Sequence, residues 1–166
     1  MDIPSSVVLI CNYAFSRCSS LKKITFEDSS LLKEIGKGSF YGCISLENIS
    51  IPSTVTSIND HSFHECSLIN KIFLPSSVNS IGKYAFAKCS SLEEVIFDGN
   101  ILFQNIKEGF FSECKELKQI TIPPSVTSIG IHVFDKYTSL QHMTIPSSLD
   151  IKNLATENPQ IIITRV

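Results

Sequence analysis

The sequence lacks any excess of positive charge: 14 Lys and Arg stand against 16 Asp and Glu, a formal charge of −2. A chain that grips a phosphate backbone carries a basic face or stripe, so no nucleic-acid partner is expected. Long apolar runs are also missing. The longest, Val7 to Cys11, falls far short of the roughly 20 residues that cross a bilayer, and no membrane-spanning segment is predicted. Met1-Asp2-Ile3-Pro4 carries no charged n-region followed by an apolar h-region, so no cleavable secretion signal is read there either. No two cysteines stand at the C-x-x-C spacing of a zinc site, which argues against a structural metal. One G-x-G occurs, in IGKGSFYGC, without the third glycine or the βαβ context of a dinucleotide site, and no cofactor is expected. What remains is a chain of 166 residues, 43% hydrophobic and 18% charged, in the range of a globular protein with one core.

Its organisation appears when Ser80 to Phe97, SIGKYAFAKCSSLEEVIF, is slid along the chain. An aromatic column recurs six times, at Phe15, Phe40, Phe63, Phe86, Phe111 and Phe134, in steps of 25, 23, 23, 25 and 23 residues. Three residues on stand Cys18, Cys43, Cys66, Cys89 and Cys114, then Tyr137 where the pattern lapses. The columns Leu21 to Leu140, Ile24 to Met143 and Phe26 to Ile145 follow in the same register, and Ile10 to Ile129 and Val7 to Val126 precede it. A fixed period of this length with apolar residues locked inside it is the mark of a stacked solenoid. One repeat cannot bury its own apolar side, so the copies must share one continuous core.

Within the unit, L-x-x-I-x-I alternates apolar and polar residues and reads as a short strand, which stacking places in a parallel sheet. V-x-S-I is a second, shorter extended piece. The F-x-x-C spacing predicts a turn of helix or 3₁₀ crossing the coil. Cys11, Gly36, Asn59, Gly82, Lys107 and Gly130 share a turning position, where Gly and Asn predict a left-handed or tight backbone. Proline at Pro4, Pro52, Pro75, Pro123 and Pro146 ends the main strand where no further donor is needed.

Copies such as IPSTVTSINDHSFHECSLINKIFL and LPSSVNSIGKYAFAKCSSLEEVIF resemble the leucine-rich repeats of the BspA-like family, bacterial and protozoan proteins often displayed at cell surfaces. The resemblance covers about nine tenths of the chain. It implies a right-handed leucine-rich-repeat solenoid of stacked parallel β coils with short helical turns, a non-enzymatic role in adhesion or partner binding, and a cell-surface location. It implies no ligand.

Residues 1–145 are accordingly read as six repeats of 23–25 residues, and 146–166 as a C-terminal cap of the same domain. The cap is expected to cross the coil through IKNLATENPQ and to add a last strand, Ile161 to Val166. Repeats two and five are two residues longer than the others, through EDSSLLKEIG and DGNILFQNIK, and should bulge at a loop. Ile3-Pro4 looks like the tail of a strand whose coil is otherwise missing; a weakly capped N-terminal end would favour self-association. The alternative reading is therefore an intracellular scaffold that assembles through its ends.

Five cysteines in one column would sit about 5 Å apart with parallel Cβ vectors, poor geometry for disulfides, and read as a ladder of small buried thiols. Cys11 lies off the column as a free thiol near the surface. Catalysis needs converging groups, but His61 and His132 share a column three coils apart, His64 falls on an outer turn and His142 on the last regular strand; all four read as surface residues. Asn48-Ile49-Ser50, a formal glycosylation acceptor, falls inside a strand. A site, if present, is a surface. On the main strand the outward positions are mostly small or polar, except Phe73 and Ile96, adjacent on neighbouring coils and flanked by Lys71 and Glu94. An apolar pair with a charged rim has the anatomy of a binding hot spot. Lys71, Phe73, Glu94 and Ile96 are the residues expected to meet a protein partner.

Overall fold

A computed structural model of the chain describes residues 1–151 and 161–166. Two columns of short strands run through it, and every pairing is parallel. The L-x-x-I-x-I segments form the first column: β1 (Asp2–Ile3), β3 (Lys23–Phe26), β5 (Asn48–Ile49), β7 (Lys71–Leu74), β9 (Glu94–Phe97), β11 (Gln119–Thr121), β13 (His142–Ile145) and β14 (Ile162–Arg165). The second, from V-x-S-I, holds β2 (Leu9–Ile10), β4 (Glu34–Ile35), β6 (Ser57–Ile58), β8 (Ser80–Ile81), β10 (Asn105–Ile106) and β12 (Ser128–Ile129). The second ladder stops between β8 and β10, where repeat five carries its extra residues.

Both ends join the first column, whose strands form three separate sheets, β1-β3-β5, β7-β9 and β11-β13-β14. Asp2 and Ile3 pair with Thr25 and Phe26, so the strand tail read at Ile3 is β1. Ile162 to Arg165 pair with His142 to Ile145, one residue inside each end of the expected last strand. The helical or irregular crossing expected in IKNLATENPQ falls, but for Ile151, outside the described residues.

The F-x-x-C segment departs from expectation: among the described residues there is no helix. The N–H groups of Ala14, Ser16 and Cys18 do reach back three residues, but those of Tyr13, Phe15 and Arg17 donate to Lys37, Ser39 and Tyr41 of the next coil. A helix would spend every donor along its own axis. Here two left-handed residues per coil swing alternate donors outward instead. They are Tyr13, Gly38, His61, Tyr84, Gly109 and His132 at the first place, and Arg17, Gly42, Glu65, Lys88, Glu113 and Lys136 at the second, with φ between 53° and 68°.

The turning column is corrected by the same observation. Gly36, Gly82 and Gly130 are not the left-handed residues. They are glycine because the neighbouring coil is too near for a side chain: a Cβ on Gly82 would lie 2.2 Å from the Asp60 amide nitrogen, and one on Gly36 2.5 Å from the Ile10 carbonyl oxygen. Close approach, not backbone hand, is what this position demands.

The apolar columns point inward as the period requires, and only the first coil's Val7, Phe15, Leu21 and Phe26, with Phe97 later, are less than fully buried among the recurring aromatic and aliphatic positions named above. Phe15, Phe40, Phe63 and Phe86 stack with centroids 5.2 to 5.4 Å apart and planes within 10°. The stack loosens to 6.1 Å and 21° at Phe111. There Phe110, fully buried, occupies the place that holds Ser39, Ser62 and Ala85 in the earlier coils, and its ring wedges 4.4 Å from that of Phe111.

The thiol ladder has a polar purpose besides packing. Cys43, Cys66, Cys89 and Cys114 each donate a weak S–H bond, 3.1 to 3.3 Å long, to the carbonyl of Phe15, Phe40, Phe63 and Phe86 one coil back. Each of these carbonyls also accepts the N–H of the cysteine three residues on, Cys18, Cys43, Cys66 and Cys89, so the thiol takes up the second lone pair. Burial pushes the Cys43 thiol up to about 11 and raises Cys66, Cys89 and Cys114 further. Cys11 and Cys18 are exposed, and all six are free thiols.

Candidate interaction face

The first strand column presents one side to the core and the other to solvent. In the β7–β9 register Lys71 pairs with Glu94 and Phe73 with Ile96, so the four residues expected to form a site do lie side by side. Lys71 Nζ is 2.9 Å from Glu94 Oε2, both half exposed; such a pair contributes about 0–1 kcal/mol and serves orientation more than stability. Phe73 is 45% exposed, a large apolar ring held out by the strand pleat while Ile72 and Leu74 on either side are buried. Ile96 is only half buried, since it also forms part of a groove wall.

Two grooves flank this ridge. One, of about 480 Å³, lies over β3 and β5 and is lined by Lys23, Thr25, Phe26, Asn48, Ser50 and Pro52. The other, of about 420 Å³, lies over β9, β11 and β13, with Glu94, Ile96, Phe97, Gln119, Thr121 and Pro123 at the corresponding register positions. Both arise at the lengthened repeats. Where shorter repeats place proline after the strand, these place Glu27 and Asp98, whose N–H groups donate to Ile3 and Leu74 and carry the ladder one residue further. Their carboxylates accept from the Ser5 and Ser76 amides. The Asn100 amide, which donates to Asp98 Oδ1, and hydrogen bonds from Ser76 hold the Asp98 carboxyl below the usual carboxylate range.

The opposite, turning edge holds a feature that column reading missed. His61 and His64 meet edge to face at 5.3 Å, with His61 stacked on Tyr84 and His64 on Tyr41. Both are partly covered, and both Nδ1 atoms are buried without a hydrogen-bond partner. Burial lowers both pKa values; Lys37 acts in the same direction on His61, and His61 and Lys88 on His64, against Asp60 and Glu65 respectively. The i, i+3 spacing was the available signal, and comparing His61 with His132 along the column passed over it. His132 is exposed and paired with Asp135 at 2.5 Å, and His142 is exposed on β13. Nearby, Glu108 accepts from Lys83 and Tyr84, which lowers its pKa. Among the described residues no three His, Cys, Asp or Glu side chains gather as metal ligands would, and no helix is long and apolar enough to cross a membrane.

The model of the BspA-type leucine-rich-repeat region matches in six copies, over residues 1–103 and 33–161. The chain belongs to the BspA-type leucine-rich-repeat family. Among solved structures, a leucine-rich cell surface protein of Faecalibacterium prausnitzii is 33% identical with a TM-score of 0.79, over 92% of this chain and 40% of that one. A leucine-rich-repeat protein of Bacteroides ovatus is 26% identical with a TM-score of 0.71, over 99% of this chain and 50% of that one. The pneumococcal vaccine antigen PcpA is 26% identical with a TM-score of 0.59, over 89% of this chain and 30% of that one. This BspA-type chain thus spans half or less of the length of these three relatives. No curated protein matches it.

Proposed function

We propose that the chain is a non-enzymatic protein-interaction module of the adhesion or surface-antigen type, and that it binds a protein partner through the first strand column, with Phe73 and Ile96 as the apolar centre and Lys71 and Glu94 as the charged rim. The observation that carries this reading is the exposure of Phe73, paired with Ile96, in the middle of a strand face whose other outward positions from β3 to β13 are small or polar. The repeating columns account for most of the core and leave that pair unexplained. Two similar proteins, the F. prausnitzii cell surface protein and PcpA, carry surface or antigen descriptions of their own, which supports the compartment in this reading.

A photo-crosslinking residue placed at position 73, and in a second protein at position 84 on the turning edge, tests the face in the native cell. A protein adduct from position 73 that Ile96→Glu abolishes is the expected result; adducts from position 84 alone would move the site to the other edge. An epitope tag reachable on intact cells is the expected result for the compartment, and a tag reached only after permeabilisation would overturn the surface role.

A further inference from the structure

We infer that the strand face is self-complementary and that its partner is a second copy of this chain, bound face to face. The inference rests on the reading of that face as the binding surface. Three observations lie on the one face. An apolar ridge, Phe73 and Ile96, stands on β7 and β9. An open groove of about 480 Å³, lined by Thr25, Phe26, Ser50 and Pro52 among others, lies over β3 and β5 in the two coils before the ridge. The strand entries beside ridge and groove carry opposite charge: Lys22 and Lys23 enter β3, Glu93 and Glu94 enter β9 at the same register position three coils on, and all four are exposed.

A two-fold axis lying in the interface, parallel to the strands and between β5 and β7, uses all three at once. It reverses the order of coils and keeps the direction of strands, so β9 of one copy lies on β3 of the other and β7 lies on β5. The Phe73–Ile96 ridge of each copy then enters the groove of the other. Glu93 and Glu94 meet Lys22 and Lys23 of the second copy, and Lys71 faces Glu47, the exposed acid before β5. An isologous interface forms each contact twice, so one ridge, one groove and one charge pair per chain suffice. Within one chain only Glu94 of these strand-entry acids and Lys71 are already bridged; among the described residues Lys22, Lys23, Glu47 and Glu93 have no ion pair. Opposite charges arranged this way set register and suppress wrong pairings.

Sedimentation velocity of the 166-residue chain from about 1 µM to about 1 mM, with charge reversals, tests it. The wild type is expected to pass from monomer to dimer. Lys22→Glu with Lys23→Glu, and separately Glu93→Lys with Glu94→Lys, should each weaken the dimer by about tenfold or more, the scale of a few close charge pairs. Mixing the two reversed proteins should restore it, because every contact is then again between opposite signs. Phe73→Glu should abolish it in any mixture. Since all these side chains are exposed, unchanged urea midpoints certify the fold of each variant. A wild type that stays monomeric throughout overturns the inference; with position-73 adducts to another protein retained, the strand-face reading survives it. A dimer that ignores both reversals and Phe73→Glu also overturns it, placing self-association elsewhere.

Discussion

The thiol column and the strand face come from the same coils and obey opposite rules. From Cys43 to Cys114 each coil repeats one residue doing one job, a buried S–H donor to the phenylalanine carbonyl one coil back. Across the coil, positions 23, 48, 71, 94, 119 and 142 hold Lys, Asn, Lys, Glu, Gln and His. A column is confined because each member is packed by the copy before and after it, so a deviation disturbs two neighbours. The strand face meets only solvent on its outer side, and nothing in the fold restrains it. Individuality in such a molecule therefore collects where stacking does not reach, and Phe73 is its clearest case.

The sharpest way to break that contrast is to truncate a ring on each side of it. Phe86→Ala removes a fully buried, stacked ring and is expected to cost about 3–5 kcal/mol in urea unfolding, whereas Phe73→Ala on the strand face should change stability by no more than about 0.5 kcal/mol. Equal losses would erase the distinction. Glycines sharpen it next. Gly82→Ala forces a Cβ against the Asp60 backbone and should cost about 1–3 kcal/mol, while Gly99→Ala, with nothing within 4 Å, should be near neutral by the same measurement.

A smaller effect is expected from pH. His61 and His64 have folded-state pKa values below the unfolded value, so the unfolded chain binds protons first as pH falls. Their contribution is complete above about pH 6.5 and is lost as the pH drops through the lowered folded values. Replacing both with phenylalanine should flatten the fall of the unfolding midpoint between pH 7 and 5; a fall of unchanged slope would locate the sensitivity elsewhere. Least perturbing of all is alkylation of the native protein. Iodoacetamide followed by mass spectrometry should label Cys11 and Cys18 and spare the four buried thiols until denaturant is added. Ready labelling of Cys89 would mean the column is not closed.

Most of the fold was legible because stacking writes itself into the sequence as a period. The inward columns and the parallel strands follow from it, the last strand was legible from the apolar run Ile161-Ile162-Ile163 where the period had lapsed, and the structure places them within a residue or so. The crossing segment was misread for a physical reason. F-x-x-C spacing is shared by a helical turn and by a run whose left-handed residues, such as His61 and Glu65, send alternate donors to the next coil, and spacing alone does not say where an N–H points. Close approach was equally silent, so Gly36 and Gly82 looked like turn glycines. Of the surface, alternation found Phe73 and Ile96 but not the grooves beside them. Those depend on Glu27 and Asp98 replacing proline and extending the ladder, a three-dimensional consequence of two extra residues.

The division of labour between columns and face is tested most directly by one titration of Phe73→Glu beside its parent, both carrying a photo-crosslinking residue at position 96, following urea unfolding and the crosslinked adduct on the same preparation. The expected result is the parent's midpoint with the crosslink gone. A lowered midpoint with the crosslink intact would contradict it, making Phe73 part of the scaffold and not of the binding surface.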